Sequence, residues 1–140
     1  MTVVVDASVV AAAFFQEDHH LSARRILASD NVLHAPDLLV AEVGNVIWKR
    51  HGRGEISATE ASELLDDVLR LPITYTPATA LATPAMAIAL RAGRTVYDSL
   101  YVALAISQNT VMYTADQRLV NTLAQSPLAA HVVSIAKLPT

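Results

Sequence analysis

No cysteine occurs in the 140 residues. That excludes disulfide frameworks, thiolate zinc sites, iron–sulfur clusters and cysteine nucleophiles, and it agrees with a reducing compartment, the cytoplasm. Charge is sparse as well, at 16% of residues against roughly a quarter in an average soluble domain. Basic residues (10) do not outnumber acidic ones (13), and the net charge is -3, so the chain lacks the balance of a protein that coats nucleic acid in general. Any nucleic-acid contact has to rest on local patches. An unbroken apolar run long enough to span a membrane is missing too, because the longest uncharged stretch, between Arg70 and Arg91, contains Pro72, Pro77 and Pro84. The first ten residues, MTVVVDASVV, are apolar but have no basic n-region and are interrupted by Asp6, so they read as mature protein rather than a secretion signal. Repeats and low-complexity tracts are absent. Apolar residues make up 53%, enough for one sizeable core, and the length predicts a single domain over residues 1–140.

The pattern of elements alternates. Residues 2 to 5 (TVVV) are β-branched and apolar without alternation, as in a central strand buried on both faces of a parallel sheet. Helices are expected over 8–15 and 19–29, and a short strand over Val32 to His34 before Pro36. Leu38, Leu39, Val43, Val46, Ile47 and Arg50 keep a helical rhythm over 37–51, stopped by Gly52 and Gly54. Ser57 and Glu60 form a capping box at the head of a helix that runs toward Pro72. Ile73 to Thr76 reads as strand, and Thr83-Pro84 as N-cap and first residue of a helix ending at Gly93. A helix over Thr95 to Ser107, a strand over Thr110 to Thr114, a helix over Asp116 to Gln125 and a strand over His131 to Ile135 complete the series. Strands separated by helices predict an α/β fold of three layers, with a central parallel sheet between helices.

In such sheets ligands bind beyond the carboxyl ends of the strands. Asp6 follows the first strand, Asp116 follows the Thr110 to Thr114 strand, Glu42 lies early in the helix after the second strand, and Asp98 stands near the start of its helix. Four carboxylates are therefore expected to converge. Taken singly, Asp6 and Asp116 are explained as helix caps and Asp98 as a complement to a helix dipole. Glu42 is harder to explain so, since it sits among Leu39, Val40, Ala41, Val43 and Val46, with Asn45 on the same helix face. Four carboxylates in one pocket repel, by up to about 4 kcal/mol per pair at 4 Å and an effective dielectric of about 20. Such a pocket takes up protons or binds a cation, and an all-oxygen site favours a hard ion, Mg²⁺ or Mn²⁺. A metal held this way can activate water for attack on a phosphodiester.

The runs VVVDASV, APDLLVAEVGNVIWKR, TVYDSLYVALA and YTADQRL stand in this order from Val3 to Leu119. In order, spacing and context they resemble the PIN-domain ribonucleases, most closely the VapC toxins of toxin–antitoxin pairs. On that resemblance Asp6, Glu42, Asp98 and Asp116 match the family's metal-binding acidic residues. Ser8 and Thr114 match the supporting hydroxyl positions, and Asn45 the amide that follows the glutamate. The resemblance implies a Mg²⁺- or Mn²⁺-dependent endoribonuclease that leaves a 5′-phosphate and a 3′-hydroxyl on RNA. It also implies a homodimer and a VapB-type antitoxin that inserts a C-terminal segment near the acidic pocket.

Arg94 and Arg118 are the candidate RNA contacts, because both lie close in sequence to acidic site residues. The cluster of Lys49, Arg50, His51 and Arg53 reads as a solvated face. His19 and His20 are adjacent, so they do not share a helix face, and read as surface; Trp48 and Tyr101 read as core or dimer packing. Two rival readings keep the fold: a catalytically inactive PIN-like binding module, and a carboxylate metal nuclease acting on DNA. A phosphotransfer site wants a second Asp two residues after Asp6, where Ser8 stands.

Overall fold

The computed structural model describes residues 1–138. Five parallel strands form one sheet: β1 (Thr2–Val5), β2 (Val32–Pro36), β3 (Ile73–Thr76), β4 (Met112–Thr114) and β5 (Val132–Ser134), in the order β3-β2-β1-β4-β5. The helices are α1 (Ala7–Phe15), α2 (His20–Leu27), α3 (Leu38–Gly52), α4 (Ala58–Leu69), α5 (Ala78–Ala92), α6 (Val96–Ser107) and α7 (Gln117–Leu123). Short 3-10 turns at Pro127–His131 and Ile135–Lys137, which sequence pattern does not reveal, flank β5. The expected three-layer α/β architecture is present.

Strand β1 lies at the centre, and Val3, Val4 and Val5 are fully buried, so both faces of the sheet are covered there. Two β-branched faces against two helical layers is the arrangement that an unalternating apolar strand needs. Helix α6 packs across β1, β2 and β4 and is buried continuously from Ser99 to Ala105, with α5 against it. Helix α1 packs on β4, α2 and α3, and α3 in turn packs on α4. Ser57 and Glu60 close the capping box of α4 through two hydrogen bonds of 3.1 Å each.

One helix departs from expectation. Helix α5 starts at Ala78, with Pro84 in its interior, rather than at Thr83-Pro84. The reason lies elsewhere in the chain: Asp37 Oδ1, just after β2, accepts a hydrogen bond from the Ala78 N–H at 3.0 Å and caps the helix across a separation of 41 residues. That cap and the packing on α6 outweigh the loss of one helical hydrogen bond at an exposed proline.

The strand order fixes where a ligand can sit. The chain moves outward from β1 to β2 and β3, then returns to the other side of β1 for β4. The connections after β1 and β4 therefore diverge, leaving a crevice at the carboxyl ends of these two neighbours. Asp6 follows β1 directly, and Asp116 stands two residues after β4.

Candidate active site

Asp6 is the N-cap of α1 and only 7% exposed. Its Oδ1 accepts the Ser8 hydroxyl at 2.5 Å and the Val9 N–H at 3.2 Å. Burial pushes its carboxyl up from the usual 3.8 to about 6; the bonds from Ser8, Thr114 and Val9 pull the other way, and the negative charge of Glu42 adds to the rise. Asp116 is likewise the N-cap of α7, its Oδ1 accepting the Arg118 and Leu119 N–H groups at 3.0 and 3.2 Å. Each cap engages a single carboxylate oxygen, so capping does not by itself exclude a site role for either residue.

Ser8 and Thr114 tie these two strand ends together. Their hydroxyls lie 3.3 Å apart, Ser8 Oγ accepts the Ala115 N–H at 2.8 Å, and Thr114 Oγ1 accepts the Asp116 N–H at 3.0 Å. Thr114 is fully buried, and this network supplies its hydroxyl with partners. Ser8 thus bonds Asp6, and Thr114 the backbone of Asp116.

Glu42, on the second turn of α3, accepts a hydrogen bond of 2.5 Å from the Tyr101 hydroxyl. Burial raises its carboxyl above the usual range, the Tyr101 bond lowers it, and the charge of Asp98 raises it again. Burial also drives the Tyr101 hydroxyl well above its usual value, helped by the charges of Glu42 and Asp6, so it stays a donor. Glu42 is thus near enough to Asp6 on one side and to Asp98 on the other for their negative charges to act on one another. Tyr101 is 2% exposed. Its ring is core, as the sequence suggests, but its hydroxyl belongs to the site, and the missed signal is its place three residues after Asp98 on the same face of α6.

Asp98 sits in the first turn of α6, where the Thr95 hydroxyl caps the helix by accepting its N–H at 3.1 Å. Its Oδ2 accepts two hydrogen bonds from Arg94, from Nε at 3.2 Å and Nη2 at 2.8 Å. Arg94 Nη2 also lies 3.6 Å from Asp116 Oδ2. Arg94 is therefore engaged by two acidic site residues, whereas Arg118 is exposed beside them. Asn45 lies one turn after Glu42 on α3 and is exposed. Trp48 is 67% exposed and is not core. Arg50 is structural: it stacks on the Phe15 ring, 4.2 Å from its centre, and pairs with Glu17 and Glu55.

Beside the acidic residues a cavity of about 500 Å³ opens between Ser8 and Asp116 on one side and Glu17, Asp18 and His19 on the other. Its outer wall is a turn with Gln16 and His19 in the left-handed region, at φ 51° and 65°; such conformations cost roughly 1–3 kcal/mol each and cluster at functional sites.

Among the described residues no three His, Asp or Glu side chains lie close enough together to hold a metal ion as they stand. The donor set nevertheless suits a hard divalent cation: it is all carboxylate, and Asp6 is buried, where a charge needs a partner. Asp6, Glu42, Asp98 and Asp116 are the residues that would hold it.

A PIN domain family model matches residues 3–123, which contain all of these residues. Ribonuclease VapC3 of Pyrobaculum aerophilum is 36% identical over 121 residues, covering 85% of this chain and 92% of that one. Ribonuclease VapC9 of Mycobacterium tuberculosis is 34% identical over 127 residues, covering 90% of this chain and 95% of the relative. Among solved structures, PAE2754 from Pyrobaculum aerophilum superposes with a TM-score of 0.67 at 24% identity, over 97% of this chain and 90% of that one. VapBC2 from Rickettsia felis, solved bound to a DNA fragment from its promoter, superposes with a TM-score of 0.64 at 15% identity, over 96% and 98%; these two likenesses establish the fold. Sequence relatives of this identity and coverage, together with the family match across the acidic crevice, place the chain in the PIN-domain family, among its VapC ribonucleases.

Proposed function

We propose that the chain is a metal-dependent endoribonuclease, the toxin of a VapBC-type toxin–antitoxin pair, with residues 1–140 forming one nuclease domain. It cleaves RNA phosphodiester bonds in the cytoplasm and so arrests translation and growth. The observation that carries this reading is the linked set Asp6, Glu42, Asp98 and Asp116 at the switch point of the sheet, in a chain that belongs with the VapC ribonucleases. PIN-domain ribonucleases are in general dependent on a divalent metal, and here the ion is Mg²⁺ or Mn²⁺, the hard cations that an all-carboxylate site prefers.

Asp6, Glu42, Asp98 and Asp116 would hold such an ion, which would supply a water of lowered pKa and neutralise charge at the scissile phosphate. The protein's own contributions are distinct. Ser8 and Thr114 fix the two strand ends so that Asp6 and Asp116 keep their spacing. The Tyr101 hydroxyl orients Glu42. Arg118, exposed at the first turn of α7, is the candidate to meet the RNA backbone at the rim. The exposed apolar residues Met86 and Leu90 of α5 and Tyr97 of α6 suit a homodimer. The Rickettsia felis complex holds a VapBC assembly; by likeness, this chain's partner is a VapB-type antitoxin.

The test is to incubate purified protein with single-stranded RNA and with DNA of the same sequence, with Mn²⁺ or Mg²⁺ and with EDTA. Cleavage of RNA alone, abolished by EDTA, is expected. Cleavage of the DNA instead would favour the DNA-acting nuclease, and no cleavage of either would favour a binding module.

A further inference from the structure

Arg94 occupies an unusual electrostatic position. It immediately precedes Thr95, the N-cap of the 12-residue helix α6, where the helix dipole disfavours a positive charge. The link that carries it is fixed at both ends: Gly93, at φ 69°, closes α5 with its N–H on the Ala89 carbonyl at 3.0 Å, and Thr95 caps α6. The guanidinium is consequently held at the crevice, where it donates at 3.2 and 2.8 Å to Asp98 and stands 3.6 Å from Asp116. These are the two site carboxylates whose elements, α6 and the β4–α7 turn, are joined by no other ion pair among the described residues. The side chain is 22% exposed, partly removed from water.

We propose that Arg94 is the resident counter-cation of the acidic site, competing with the divalent metal for Asp98 and Asp116. The inference rests on the reading of those residues as metal ligands. Four carboxylates around one crevice need compensating charge when no ion is bound. Arg94 supplies it to two of them at once, in bidentate contact with one. A divalent ion that uses Asp98 or Asp116 must displace or share the guanidinium, so each unit of stabilisation that Arg94 gives the metal-free site is subtracted from metal affinity.

The experiment is calorimetric titration of Mn²⁺ alone into wild type, Arg94→Gln, Arg94→Lys and Asp98→Asn, with thermal melting of each metal-free protein as a check on folding. Arg94→Gln should bind Mn²⁺ roughly five- to tenfold more tightly than wild type, as loss of about one partly exposed ion pair to each competitor implies. Arg94→Lys, which keeps the charge but not the fork, should fall between them. A merely structural Arg94 would act oppositely, its loss weakening Mn²⁺ binding; unchanged or weaker binding in Arg94→Gln and Arg94→Lys overturns the proposal. The underlying reading fails separately, if Asp98→Asn binds Mn²⁺ as wild type does. Should Arg94→Gln not fold, the Lys variant alone decides, by the direction of its change.

Discussion

Tyr101 links the apolar interior to the acidic crevice through a single oxygen, so Tyr101→Phe isolates the contribution of that oxygen. Without the donor, Glu42 loses the bond that lowers its pKa, and its half-buried carboxylate is left short of a partner. The variant should lose about 1–2 kcal/mol in denaturant unfolding, and the acid limb of its pH–rate profile should move to higher pH. The carboxylates themselves answer differently. Simple repulsion predicts that Asp6→Asn and Asp98→Asn both leave the metal-free protein as stable as before or more so. The structure keeps that outcome for Asp6, whose burial opposes its charge and whose capping bond an Asn can also make. It reverses it for Asp98, which has Arg94 on it: Asp98→Asn should cost about 0.5–1 kcal/mol in the metal-free state. Asp6, Asp98 and Asp116 stand out in sequence because each follows a strand end or opens a helix, and Glu42 because it is a lone acid among apolar neighbours. Ser8 and Thr114 are singled out only by the family resemblance. Arg94 and Tyr101 are not legible in these roles, because an Arg near an Asp and a Tyr in an apolar helix have ordinary explanations that only distances displace.

Among the elements, α5 shows where local pattern stops. Thr83-Pro84 is a well-formed start signal, yet the helix begins at Ala78 because Asp37, remote in sequence, supplies the cap. Pro84 is exposed inside that helix, with no N–H to offer the carbonyl of residue 80. Pro84→Ala should therefore stabilise the protein, by about 1 kcal/mol or more in thermal melting, the gain being reduced by the freer unfolded chain. A loss of stability would mean that the proline ring itself packs usefully. By contrast α4 and α6 were legible nearly to the residue, since Ser57 with Glu60 and Thr95 with Asp98 make local caps. Strand β1 was legible as central for a different reason: three consecutive valines need cover on both faces.

On the scale of the whole molecule, the unusual composition has a cost that depends on pH. Asp6 holds its proton more tightly when folded, at about 6, than at the ordinary 3.8 of an unfolded chain. The folded state thus binds more protons between these values, and stability falls as pH rises through that window, by at most about 3 kcal/mol. Metal-free protein should melt at a lower temperature at pH 7 than at pH 5, so far as Asp6 governs, and Mn²⁺ should recover more at pH 7, where binding no longer has to expel a proton. A melting temperature that rises from pH 5 to pH 7 without metal would contradict the burial of Asp6 as the governing term. The three-layer architecture was legible because alternating elements permit few topologies. The switch point between β1 and β4 was not, because strand order depends on packing rather than on the sequence of elements. The central claim is that Asp6, Glu42, Asp98 and Asp116 act as one centre. It is tested most directly by the rate of cleavage of one RNA, at saturating Mn²⁺, by Asp6→Asn, Glu42→Gln, Asp98→Asn and Asp116→Asn. Asp37→Asn, a carboxylate that only caps α5, serves beside them. Each of the four should fall by about a hundredfold or more while Asp37→Asn stays near wild type; wild-type rates in any of the four would break the centre apart.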